Sequence, residues 1–199
     1  MDLKRNDILS LYEKVKSLAK RSLEENDTKK ALQHISVAAN IAYLYNFIYK
    51  DDELEHMLSK ISHNRYNPSQ HIVVNQNRYV MIDSFGNPNK GLTQQYLRAL
   101  VAMNEDFMYV SLNVSPNKQP IYDEVKSSAK GVLCLVPDGD AESKMDYVYK
   151  AIDEYKPEKI LAHIAPWDVV ATTILYAFPE LKRYNINLTD HAFWLGAGC

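Results

Sequence analysis

Two histidines stand where apolar runs of the chain give way to polar residues, and an imidazole is the side chain best suited to hold or move a proton near neutral pH. The first is His163, in Leu161-Ala162-His163-Ile164-Ala165-Pro166-Trp167. The second is His191, in Asn187-Leu188-Thr189-Asp190-His191-Ala192-Phe193-Trp194. There Asp190 adds a carboxylate next to the imidazole, and Phe193 and Trp194 follow as flat apolar faces. Sugars rest their ring faces on aromatics and need polar partners for their hydroxyls, so this segment suits sugar recognition. A strand-end histidine making a turn hydrogen bond accounts for the same residues. For His163, a packed imidazole satisfied by backbone groups is the alternative.

A third candidate is the turn Asp83-Ser84-Phe85-Gly86-Asn87-Pro88-Asn89-Lys90-Gly91. Gly86 and Gly91 open backbone conformations closed to other residues, and N–H groups at a following helix start could meet a diphosphate. The turn carries neither G-x-G-x-x-G nor a G-K-[ST] phosphate loop, so a glycine turn with a helix cap explains it equally. Pro137-Asp138-Gly139-Asp140 offers carboxylates, but a turn leading into a capped helix accounts for them fully. The two cysteines, Cys134 and Cys199, form neither a disulfide framework nor a zinc pattern, and no metal site is expected.

The elements that must position these residues follow from hydrophobic period. From Asp7 to Ile61 apolar residues recur at helical spacing without a proline, predicting two or three helices over 1–61. The polar stretch 62–76, with Pro68, reads as a linker. Over 77–199, apolar unalternating runs predict strands at Arg78 to Asp83, Phe107 to Val114, Gly131 to Pro137, Lys159 to Ala165 and Asn185 to Thr189. Helical patterns at Leu92 to Asn104, Tyr122 to Ala129, Ala141 to Tyr155 and Pro166 to Ala177 separate them. This order predicts an α/β fold: a Rossmann-like, mostly parallel sheet with helices on both faces, preceded by a small helical region. In such sheets ligands bind outside the carboxyl ends of the strands, which selects the loops above.

Charge and composition narrow the classes. The 23 Lys and Arg nearly cancel the 25 Asp and Glu, with no basic stripe, which disfavours a nucleic-acid partner. No apolar run approaches the ~20 residues of a membrane span. The first residues lack a signal-peptide core, making the cytoplasm the expected compartment. The 14 tyrosines fit carbohydrate contact or half-buried packing alike. The chain stops soon after Phe193 and Trp194; exposed aromatics cost stability, so the sequence predicts that a neighbouring domain is missing.

The Tyr79-Val80-Met81-Ile82-Asp83-Ser84-Phe85-Gly86-Asn87 segment, the Lys159 to His163 strand and the Asn187 to Gly196 segment resemble the N-terminal domain of GT-B glycosyltransferases. The nearest likeness is to bacterial enzymes similar to O-linked N-acetylglucosamine transferases, and it covers roughly Asn77 onward. The resemblance implies a hexosyltransferase moving sugar from a nucleotide-sugar donor to a hydroxyl acceptor on a glycan or protein. The donor is a substrate, no cofactor is needed, and a C-terminal domain absent from this chain would hold it. The resemblance makes His191 the catalytic residue beside the transferred sugar. Gly86, Asn87, Gly91, His163, Asp190 and Trp194 become substrate-binding residues. The O-linked enzymes carry a histidine after their Phe-Gly-Asn turn; this chain has Pro88 and Asn89, which counts against protein O-glycosylation. The rival expectation is a non-catalytic α/β binding or regulatory module with a helical protein-interaction region.

Overall fold

The computed structural model describes residues 5–67, 73–86, 91–187 and 191–198. The chain forms two compact units. One takes residues 1–67, 165–177 and 188–199, and the other takes 68–164 and 178–187.

The first unit is helical. It contains α1 (Arg5–Glu24), α2 (Thr28–Tyr45), α3 (Asp52–Tyr66) and α7 (Val169–Ala177). Asp27 caps α2 by accepting from Lys30 N–H at 3.0 Å, and Asp51 caps α3 by accepting from Glu53 and Leu54 N–H. Asn46 and Asn67 end these helices in the left-handed conformation that asparagine tolerates best after glycine. Ala31, Ala38, Ala39 and Ala42 are fully buried on one side of α2, so neighbouring backbones can approach closely. Helix α3 continues past Ile61 to Tyr66. Helix α7 begins at Val169 rather than Pro166, because Asp168 accepts from Ala171 N–H at 2.9 Å and so stands before the first turn.

The C-terminal turn belongs to this unit. Trp194 N–H donates to Tyr49 O and Leu195 N–H to Pro166 O, and Gly196 N–H donates to Glu55 Oε1 at 2.8 Å. Phe193, Trp194 and Leu195 are buried, which corrects the expectation that these aromatics lie unprotected.

The second unit is the sheet: β1 (Arg78–Asp83), β2 (Asp106–Ser111), β3 (Gly131–Leu135), β4 (Lys159–His163) and β5 (Lys182–Asn185). All strands are parallel, in the order β3-β2-β1-β4-β5. Helices α4 (Leu92–Ala102), α5 (Gln119–Ser127) and α6 (Ala141–Tyr155) connect them. Met81, Phe107 and Tyr109 pack with Leu97, Leu100, Ile121 and Val125 under α4 and α5. The path from edge strand β3 back to β4 reverses direction, so a right-handed crossover puts α6 on the other face, where it buries Met145, Val148 and Ile152. The fold is therefore the expected Rossmann-like α/β arrangement with an N-terminal helical region. The fifth strand differs from the expected Asn185 to Thr189: it occupies Lys182–Asn185, Ile186 and Asn187 follow it outside the strand, and Leu188 and Thr189 lie outside the described residues. It pairs on one side only and is half exposed, so it needs no apolar run. Among the described residues, no helix is long and apolar enough to cross a membrane.

Candidate functional site

Register sets a polar row across three strands. Asp83 on β1 pairs with Ser111 on β2 and with His163 on β4, each the last residue of its strand. Side chains two residues apart share a face, so this row continues the one that carries Met81, Tyr109 and Leu161 toward α4 and α5. The strand order reverses between β1 and β4, and this is the point at which open parallel sheets bind ligands.

Asp83 is completely buried and receives five donors. Its Oδ1 accepts Phe85 N–H at 3.1 Å, Gly86 N–H at 2.6 Å and His163 Nδ1–H at 3.1 Å. Its Oδ2 accepts the Tyr109 hydroxyl and faces Lys118 Nζ at 3.4 Å. Burial alone would raise the Asp83 pKa, but the His163 hydrogen bond, the Lys118 charge and the Tyr109 hydroxyl outweigh it and hold the carboxyl below its ordinary range. Burial and the adjacent carboxylate push the Tyr109 phenol far up, so it stays a donor.

These donors come from distinct elements. Lys118 ends a single 3-10 turn, Pro116–Lys118, whose entry is capped by Ser115 Oγ accepting from Asn117 N–H. Thr93 lies in the first turn of α4, and its Oγ1 stands 2.9 Å from His163 Nδ1. Gly86 fits because a side chain there would collide with the Asp83 carboxylate and approach Thr93 Oγ1 to 2.7 Å. Phe85, partly exposed, sets its ring edge-on to the imidazole at 6.0 Å.

The network determines the imidazole tautomer. A carboxylate only accepts, so Nδ1 carries a proton, and Nε2 is the ring nitrogen left over for other chemistry. Among the described residues Nε2 is buried and has no hydrogen-bond partner. The arrangement can accept a proton at Nε2 while Asp83 stabilises the imidazolium, as in any carboxylate-oriented histidine.

Of the expected site residues, Gly86 and His163 meet at Asp83, and Gly91 stands at the start of α4. His191 and Trp194 fall in the helical unit, with His191 exposed and Trp194 buried. Asn87 and Asp190 lie outside the described residues. Asp83, Thr93, Tyr109, Ser111 and Lys118 were not expected. A carboxylate closing the apolar run Tyr79 to Ile82 is a readable signal for Asp83; Lys118 sits in a stretch with no clear periodicity and offers none. Among the described residues no three His, Cys, Asp or Glu side chains gather to hold a metal ion. No protein-family model matches the chain, and no curated protein matches it significantly.

Proposed function

We propose that this chain is the acceptor-side half of a hexosyltransferase, which moves sugar from a nucleotide-sugar donor to a hydroxyl acceptor. The observation that carries the reading is the Asp83–His163 pair where the strand order reverses, with His163 Nε2 buried and unpartnered among the described residues. In the reaction proposed, the acceptor oxygen bonds to the anomeric carbon and passes its proton to His163 Nε2. The bond from that carbon to the diphosphate breaks, and the diphosphate leaves with the electron pair. Phe85 supplies an apolar wall, and the Asp83 carboxylate accepting from Nδ1–H stabilises the developing imidazolium. The donor half would be a second Rossmann-like domain, as the sequence resemblance implies, and His191 would stand beside the transferred sugar.

The test is titration of the 199-residue chain with hydroxyl-rich oligosaccharide acceptors, followed by amide and imidazole NMR. Saturable shifts centred on Phe85, Gly86, Thr93 and His163 are expected. Shifts confined to the opposite edge of the sheet, or none, overturn the reading.

A second reading is a non-catalytic α/β binding module, favoured by the burial of the entire row and of Thr93 beside it: Asp83, Ser111, His163 and Thr93 are each at most 2% exposed. In that case the network only pins the β1–α4 turn, and replacing His163 lowers the melting temperature without altering ligand shifts.

A further inference from the structure

The amino edge of the same sheet carries a second row of charge. Arg78 begins β1, Asp106 begins β2 in register with it, and Lys130 immediately precedes β3. Together with Tyr155, the last residue of α6, these side chains line a hollow of ≈240 Å³ floored by Gly131 and Val132. A simple cross-strand ion ladder explains the charges only in part. Asp106 stands 4.0 Å from Arg78 Nε and 3.9 Å from Lys130 Nζ, at the limit of pairing, and among the described residues leaves guanidinium and ammonium donors unfilled. The other uses of these cations are local: Arg78 Nη1 donates to Tyr155 O at 3.0 Å, and Lys130 Nζ to Asn104 O at 2.6 Å. Arg78 also lies over the Tyr155 ring, 5.2 Å from its centroid.

The phenol supplies the second observation. Tyr155 Oη is buried and has no hydrogen-bond partner among the described residues. A buried polar atom without a partner costs stability unless something fills its need. Burial, with the nearby Asp106 charge, pushes this phenol up to about 12 against the opposing pull of Arg78, so it is a donor throughout the physiological range. Two cations, one carboxylate and one phenolic donor give a site with net positive charge and hydrogen bonds to offer. Its volume lies below the several hundred Å³ of drug-sized pockets, so the ligand is compact.

We infer that this hollow is a binding site for a small oxyanion, inorganic phosphate or a compact phosphomonoester, held by Arg78, Lys130 and the Tyr155 hydroxyl. It lies at the opposite edge of the sheet from Asp83 and His163 and does not depend on the transferase reading. The guanidinium fork takes two oxyanion oxygens, the ammonium adds charge, and the phenol donates a third hydrogen bond. Asp106 sets the affinity from the negative side.

The experiment titrates the full 199-residue chain with inorganic phosphate and, in parallel, with methyl phosphate, observing backbone amides. Saturable shifts at Arg78, Lys130, Gly131 and Tyr155 are expected from at least one probe, and the tighter probe identifies the source. Arg78→Ala weakens binding by at least about tenfold, the loss of a charge-assisted hydrogen bond. Tyr155→Phe weakens binding while leaving thermal unfolding unchanged or raised, because its hydroxyl supports no described protein partner. Asp106→Asn strengthens binding several-fold. Shifts that do not saturate, or that survive Arg78→Ala and Tyr155→Phe unaltered, overturn the assignment.

Discussion

Asp83 and His163 end adjacent parallel strands in register, and the carboxylate accepts the imidazole Nδ1–H at 3.1 Å. Neighbouring parallel strands bring their last residues side by side, so two short polar side chains on one face meet without any loop having to position them. The ring is thereby oriented by the strands themselves. The same carboxylate also collects the N–H groups of Phe85 and Gly86, so the turn leaving β1 and the ring on β4 share one anchor.

Asp83→Asn removes the charge that balances Lys118, whose side chain is only 8% exposed. Breaking one partner of a buried pair costs about 3–5 kcal/mol, because the remaining charge is left without compensation. Urea unfolding followed by circular dichroism should show a loss of this size. The double variant Asp83→Asn with Lys118→Met should recover part of it. An unchanged midpoint in the single variant removes Asp83 from its central place.

The acid limb of stability follows from the lowered Asp83 pKa. For a carboxyl depressed on folding, the stabilisation is complete above the unfolded value of about 3.9 and is lost as pH falls through the folded value. Urea midpoints measured from neutral pH downward should fall below about pH 4, and Asp83→Asn should flatten that limb.

Glu55 has the opposite sign. Burial raises its carboxyl above the ordinary range despite hydrogen bonds from the Tyr176 hydroxyl and from Gly196 and Ala197 N–H. A raised carboxyl favours folding when protonated, and that contribution is lost as pH rises through the folded value. Glu55→Gln keeps an oxygen for Gly196 and Ala197 and should raise the melting temperature at neutral pH more than at acid pH. Equal change at both ends contradicts this account.

Gly86→Ala should destabilise the chain by about 1–3 kcal/mol, since the added methyl meets the Asp83 carboxylate and the Thr93 hydroxyl. Thermal unfolding reads the effect. The companion Gly86→Ala, Thr93→Ser variant relieves neither oxygen contact and should recover little.

His191 is exposed, and His163 is not. His191→Ala should therefore leave stability within about 0.5 kcal/mol. In a transferase carrying the donor domain it should lower turnover at least ~10-fold, the loss of one transition-state hydrogen bond. His163→Ala should lower the melting temperature, since the ring is buried, and should also abolish turnover in that transferase if it takes the acceptor proton. Full activity in His191→Ala removes that residue from the reaction.

Much of the architecture was legible because buried parallel strands must be apolar throughout. Arg78–Asp83 and the helix Ala141–Tyr155 have the bounds that periodicity and the Asp140 cap predict. Edge strand β5 escaped because Lys182, Arg183 and Tyr184 keep their polar parts in water and need only backbone pairing. The site was half legible for a related reason. His163 and the Gly86 turn interrupt apolar runs and stand out, whereas Tyr109 looks like one more core aromatic until register puts it below Asp83. Lys118 depends on the path of a short 3-10 turn, which no local pattern encodes.

The helical unit draws on three separated stretches, with residues 165–177 and 188–199 joining the first 67. Its last members are translated after every strand of the sheet. During synthesis the first three helices therefore wait for α7 and the Trp194 turn, and Glu55 stays without the backbone donors of Gly196 and Ala197 until those residues have been made. A protease cut in the segment 68–72 would not divide the chain into its two units, because each half would still hold part of the helical one.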